Sequence, residues 1–259
     1  MLALLPDPHH RPTVLACDTS QQACSVALAL ADGNIIERLE ETGRGHTEKL
    51  PLMIADILES YGIGLQDVDR LGVTVGPGTF AGVRVGLAAM RAIRISHHLP
   101  IYPMTTTHAL ALPIQQMMQE DEARHCIVAI DARRGELYCQ IFDAQGHPVS
   151  EVMAHTPEAL VKIITKEGVS CSNIIGSGSE ILAALMRADA VSCLEMPFWP
   201  QAGLIADWVA SQDVLPENTP PPEPLYLRPP DAALPDASSF LTRQELSLIH
   251  ISEPTRRIT

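Results

Sequence analysis

The sequence predicts an α/β protein made of two duplicated domains, and three observations carry that prediction. An apolar strand ending in aspartate, a turn and a second apolar strand occur twice, as VLACDTS with ACSVALAL around Asp18 and as IVAIDARRGELYCQIF around Asp131. The two aspartates stand 113 residues apart, too far for a solenoid period and right for a duplicated domain. Stretches in which apolar residues recur at helical spacing lie among the strands. The chain of 259 residues, 46% of them hydrophobic, is long enough for one large core or two small ones.

TVLACDTS ends in Asp18 and two hydroxyl residues, and ACSVALAL follows the polar Gln21–Gln22 turn, so the pair reads as a hairpin with Asp18 at its tip. Ile35–Thr42 supplies a third strand, and a loop holding Gly43 and Gly45 leads to His46 and Thr47. His46, between a glycine loop and a helix start, is expected to organise the turn. Over Glu48–Tyr61, Leu50, Ile54, Ile57, Leu58 and Tyr61 share one helical face, with Thr47 as N-cap and Pro51 in the first turn. Gly62 and Gly64 stop that helix. LGVTVG is a short strand running into GPGTFAGVRVG, and a second helix is predicted over Phe80–His97. Gly82, Gly86, Ala89 and Ile93 form one stripe on it, and Val83, Leu87 and Met90 another. Beyond the second strand pair, NIIGSGSE gives a strand and then Gly176 and Gly178 at a helix start. Trp199–Ser211 reads as helix, and Gln212–Pro235 as a proline-rich extended region.

Composition narrows the function classes. Met1–Pro12 is apolar at first, but Pro6, Pro8 and Pro12 break it and no positive n-region or cleavage pattern follows, so it reads as a frayed extension or an upstream start. No run approaches the roughly 18 to 20 apolar residues of a membrane span, and a cytoplasmic location is expected. The six cysteines lack CxxC spacing and read as reduced, mostly buried thiols. A net charge of -13 argues against this chain alone gripping a polyanion. LSLIHISEPTR, Leu246–Arg256, resembles the translation of a transposon-type sequencing adapter, so 246–259 is set aside and 236–245 is left unassigned.

Few residues suggest chemistry. Asp18 and Asp131, each on a turn after an apolar strand, suit a fold that handles phosphate and Mg²⁺ across a cleft, and equally suit a structural turn in which the carboxylate accepts backbone N–H bonds. GPGTFAG and IGSG could turn amides toward phosphate, or mark tight strand-to-helix turns. Neither matches GxxxxGK[ST]. The ten histidines contain no HxxxH or HExxH pair, and Ser20 and Ser25 lie in no GxSxG elbow, so neither a metal hydrolase nor a serine hydrolase is supported. Each glycine inside a helix costs about 0.5–1 kcal/mol relative to alanine, so Gly82 and Gly86 imply close approach of another backbone, either a partner's or that of the helix's own sheet.

Together ACDTSQQACSVAL, GRGHTEKLPLMIADIL, GVTVGPGTFAGVRVGLAAMRAI, AIDARRGELY, IGSG and EPLYLRP resemble, in order and spacing, the TsaB family, also called YeaZ. The resemblance covers about Thr13 to about Pro235, and GPGTFAGVRVG and DARRGELY are its most specific pieces. It implies an actin/Hsp70/sugar-kinase-like (ASKHA) fold, with an N-terminal domain over 13–109 and a C-terminal domain over 110–235. It further implies a scaffold subunit for transfer of threonylcarbamoyl to the adenosine beside the tRNA anticodon, not an enzyme by itself. The implied partners are a TsaD-type catalytic subunit and a TsaE-type ATPase; a homodimer stays open, and tRNA is reached only through the complex. No cofactor of its own is implied, although a nucleotide at the partner interface stays open. The catalytic relative carries an HxxxH metal motif where this chain reads PMTTTHALAL, so Thr106 and Leu110 stand at the ligand positions and neither catalytic nor metal residues are expected. The resemblance places the subunit contact on the two N-terminal helices, at Gly82, Gly86, Ala89 and Ile93 with Leu50 and Ile54. Asp18, Asp131, Gly176 and Gly178 are left as turn or vestigial phosphate-loop positions. An ATP-dependent small-molecule kinase of the same superfamily is the alternative.

Overall fold

β1 (Val14–Asp18), β2 (Ala23–Ala29) and β3 (Ile35–Glu41) form an antiparallel meander, and β4 (Arg70–Thr74) and β5 (Ile101–Met104) add in parallel on the far side of β1. The second sheet repeats this with β6 (His125–Asp131), β7 (Leu137–Phe142), β8 (Met153–His155), β9 (Cys171–Ile175) and β10 (Ser192–Cys193). The orders β3-β2-β1-β4-β5 and β8-β7-β6-β9-β10 are the same, with an antiparallel meander followed by two parallel strands in each. The repeated Asp-tipped strand pairs are therefore the first two strands of two equivalent sheets. The computed structural model describes residues 11–117, 125–169, 171–186, 192–193, 199–216 and 218–228. Residues 1–10, the end of the proline-rich region from Pro229, and the segments 236–245 and 246–259 lie outside the described residues. All elements named here belong to the unit Met1–Leu227.

Strand alternation explains why β1 reads as a continuous apolar run: successive side chains point to opposite faces, and both faces are covered. Leu15 and Cys17 pack with Leu50, Ile57, Val83, Leu87 and Met90 of α1 (His46–Ser60) and α2 (Phe80–His97). Val14 and Ala16 pack on the other face with α3 (Thr106–Met117) and α6 (Ala202–Ala210), through Ala109, Leu112, Ile205 and Val209. In the second sheet Ile127 and Ala129 face α4 (Pro157–Lys166) and α5 (Ser179–Ala183), whereas Val128 and Ile130 face Leu110, Ala111 and Ile114 of α3. α3 thus contributes to a core cluster on each sheet. Cys17, Cys24, Cys126 and Cys139 are buried in strands, and Cys193 is exposed.

α6 returns from late in the chain to the first sheet, and its seat is prepared there. Gly72 of β4 leaves room for it: a Cβ at that position would lie 3.1 Å from Val209 and 3.2 Å from Ile205. The Ala202 amide at the helix start donates to Ser25 Oγ at 3.2 Å with the Glu37 carboxylate close to Gly203, and Arg70 donates to the carbonyls of Val209 at 3.0 Å and Gln212 at 2.6 Å at its end. Both charges complement the helix dipole.

The start of α1 differs from the expectation. The helix begins at His46, and Gly45 occupies the N-cap position at φ 88°, with no side-chain cap, so Thr47 lies exposed in the first turn. The left-handed conformation at this position suits glycine, which carries no side chain to accept the first-turn amides. α2 spans Phe80–His97 as predicted, and Thr79 caps it by accepting the Gly82 amide.

Candidate functional site

The C-terminal ends of β1, β4 and β5 converge on Asp18, the edge at which open α/β sheets collect functional groups. Asp18 is 1% exposed. Its Oδ1 accepts the Thr74 hydroxyl at 2.5 Å and the Ser20 amide at 3.2 Å. Burial pushes its carboxyl up to about 6, against the lowering effects of the Ser20 and Thr74 hydrogen bonds and of His46. Asp18 Oδ2, Ser20 Oγ, Gln21 Nε2 and Thr106 Oγ1 are buried with no hydrogen-bond partner among the described residues. His46 is buried behind the turn, with Nε2 2.9 Å from the Gln21 carbonyl and Nδ1 3.3 Å from Thr42 Oγ1, and so pins the turn as the sequence suggested.

The glycine loop that could have cradled phosphate is folded onto this turn. The Thr79 amide donates to the Ser20 carbonyl at 2.7 Å, and the Thr19 hydroxyl donates to the Gly82 carbonyl at 2.7 Å. A Cβ on Gly78 would strike the Ser20 carbonyl, and one on Gly82 the Thr19 carbonyl. The loop glycines thus lie directly against the backbone of Thr19 and Ser20, and the Thr79 amide already has an acceptor.

The equivalent turn of the second sheet is open. Asp131 is exposed; its Oδ1 accepts the Arg133 amide at 2.7 Å, and its own amide donates to Ser177 Oγ at 3.0 Å. A Cβ at Gly176 would strike the Ala129 carbonyl, and one at Gly178 would lie 2.7 Å from Leu137, while the Gly178 amide donates to Ala129 at 2.9 Å. Gly176 and Gly178 seat the β9–α5 turn directly on β6.

Over residues 39–196 the chain matches the family model described as TsaD: tRNA N6-adenosine threonylcarbamoyltransferase. It is 40% identical over 126 residues to the Haemophilus influenzae tRNA threonylcarbamoyladenosine biosynthesis protein TsaB, covering 49% of this chain and 52% of that one. The Escherichia coli TsaB is 37% identical over 125 residues, 48% of this chain and 52% of that one. The chain spans about half the length of these curated relatives. YeaZ from Pseudomonas aeruginosa superposes with a TM-score of 0.64 at 26% identity, over 83% of this chain and all (100%) of that one. A second solved P. aeruginosa protein, with similarity to peptidase YEAZ, gives 0.68 at 27% over 84% of this chain and 100% of that one. The chain belongs to this family, as a TsaB/YeaZ member.

In this TsaB-type chain, Thr106 and Leu110, which the sequence resemblance set against a metal motif, are 0% and 4% exposed. Leu110 belongs to the apolar cluster between α3 and the second sheet. Among the described residues no group of three or more His, Cys, Asp or Glu could hold a metal ion, and no helix is long and apolar enough to cross a membrane.

The fold takes part of the expected partner stripe for itself. Gly82 and Gly86 are buried against their own chain: a Cβ at Gly86 would lie 2.7 Å from Thr19 Oγ1, 3.5 Å from Val73 and 3.6 Å from Cys17 Sγ. Leu50 and Ile54 belong to the first core cluster, at 0% and 8% exposure. Ala89 and Ile93 are half-buried against the same cluster. The glycines admit the β1–β2 turn, and the apolar faces of α1 and α2 turn inward. The outward faces instead carry Leu52 at 70% and Ile95 at 75% exposure. A second exposed group, Phe80, Arg84 and Tyr226, was missed by sequence reasoning. The Arg84 guanidinium lies 3.6 Å over the Phe80 ring, and its Nε donates to Tyr226 Oη at 2.7 Å. The tyrosine stands in the quoted EPLYLRP segment, but nothing in the spacing links it to a residue 142 positions earlier.

Proposed function

We propose that this chain acts in tRNA threonylcarbamoyladenosine biosynthesis as a non-catalytic scaffold subunit, pairing with a TsaD-type catalytic subunit and working with a TsaE-type ATPase. The family supports the pathway, because the curated relatives carry it in their names. The observation that carries the non-catalytic role is the burial of Thr106 and Leu110, which leaves neither a ligand pair nor an open site where the catalytic relative has its metal motif. The closure of the Asp18 turn by the glycine loop argues in the same direction, against the alternative of an ATP-dependent kinase. The partner surface is assigned to the outward faces of α1 and α2, where Leu52 and Ile95 are exposed among the described residues. Contact with tRNA belongs to the complex, since the chain's net charge of -13 opposes a polyanion.

The test is reconstitution. The purified chain with threonine, bicarbonate, ATP and tRNA is expected to yield no modified adenosine until TsaD- and TsaE-type proteins are added. Modification by the chain alone, at a rate comparable to the full set, would overturn the scaffold role. Titration calorimetry of the chain with ATP and Mg²⁺ separates the kinase alternative, for which saturable binding by the isolated chain is required.

A further inference from the structure

We propose that the extended segment Pro222–Tyr226 is a latch that holds the 76–80 glycine loop shut over Asp18. Three arginines of α2 grip the segment and the residues before it. Arg91 donates to the Pro222 carbonyl, Arg94 to the Thr219 carbonyl at 2.7 Å, and Arg84 to Tyr226 Oη at 2.7 Å. The Tyr226 ring also stands 5.3 Å from Phe80, the first residue of α2. These contacts fix the segment at one point of the loop. The Leu225 amide donates to the Val75 carbonyl at 2.7 Å, and the Leu225 carbonyl would lie 3.1 Å from a Cβ on Gly76.

Val75 and Gly76 are where β4 leaves the sheet and the loop begins. From Gly76 the carbonyl accepts the Thr106 amide at 2.8 Å, and at the loop's other end the Thr79 amide reaches Ser20 at 2.7 Å. Latch, loop and Asp18 turn therefore form one chain of hydrogen bonds. Its outermost members, Arg84 and Tyr226, are exposed, while Pro222 is buried and Leu225 packs against the first core cluster. Its inner end lies beside buried polar atoms without a hydrogen-bond partner, Ser20 Oγ and Thr106 Oγ1. Groups of that kind gain water when the loop lifts, so a modest loss at the latch is sufficient to open the loop locally with the two sheets intact.

The test uses the full chain and two variants. Leu225→Pro removes the amide that donates to Val75 together with the leucine side chain that packs on the first core cluster; Arg84→Ala removes only the exposed contacts to Phe80 and Tyr226. Hydrogen exchange read by mass spectrometry reports the Thr79 and Thr106 amides. Both variants are expected to raise exchange at Thr79 and Thr106 by about tenfold or more, with β6 and β7 unchanged. Unchanged exchange at both amides in both variants would overturn the latch. So would acceleration in β6 and β7 to the same degree, which would make the segment a general stabiliser. If Leu225→Pro does not fold, Arg84→Ala decides alone by the same readouts.

Discussion

Asp18 occupies an environment that opposes its charge. Its carboxyl, ordinarily near 3.8, is pushed up to about 6 by burial. The folded chain therefore binds this proton more tightly than the unfolded chain, and the stability Asp18 contributes is fully present below pH 4 and lost as pH rises through about 6. The shift corresponds to roughly 3 kcal/mol lost at neutral pH, by the usual conversion of pKa into free energy. Asp18→Asn keeps an oxygen for Thr74 and Ser20 and cannot ionise. Relative to the parent it is expected to gain stability between pH 4.5 and pH 7.5, seen as a rising difference in melting temperature. Parallel pH profiles for the two proteins would mean that Asp18 carries its charge without penalty.

At the scale of elements, α2 shows how a stripe of small residues serves its own sheet. Gly86 faces Thr19, Val73 and Cys17, so Gly86→Leu should overpack that contact and cost at least about 1–3 kcal/mol. The measurement is a urea midpoint that falls at an unchanged m-value; parent-like stability would show that the helix can move away from β1. The spacing of Gly82, Gly86 and Ala89 was legible in the sequence, and so was the need for close approach. Which backbone approaches was not, because helical periodicity specifies a face and is silent about what covers it.

For the whole molecule, the scaffold role separates folding from partner binding. Leu52 and Ile95 project from α1 and α2 into solvent, so replacing both by aspartate removes apolar contact area and adds charge without touching the core. The double variant is expected to melt within about 1 °C of the parent, since surface changes away from special features stay within roughly 0.5 kcal/mol. Its affinity for the TsaD-type subunit should fall at least tenfold, equivalent to 1.4 kcal/mol. Undiminished binding in a titration would move the partner surface elsewhere on the chain.

The sequence by itself determined the duplicated α/β layout, the Asp-tipped strand pairs, the span of α2 and the family. These features rest on local rules: alternation along strands, helical spacing, and glycine and proline at turns. The short elements β5, β8 and β10 escaped it, because strands of two to four residues carry too few side chains to show a period. Tertiary structure alone decided three further points. It brought α6 back onto the first sheet beside Gly72, folded the 76–80 loop onto Asp18, and laid the segment near Tyr226 along Arg84, Arg91 and Arg94. Each joins residues between about 60 and 140 positions apart through shape and single hydrogen bonds, and contacts of that range leave no periodic mark on the chain.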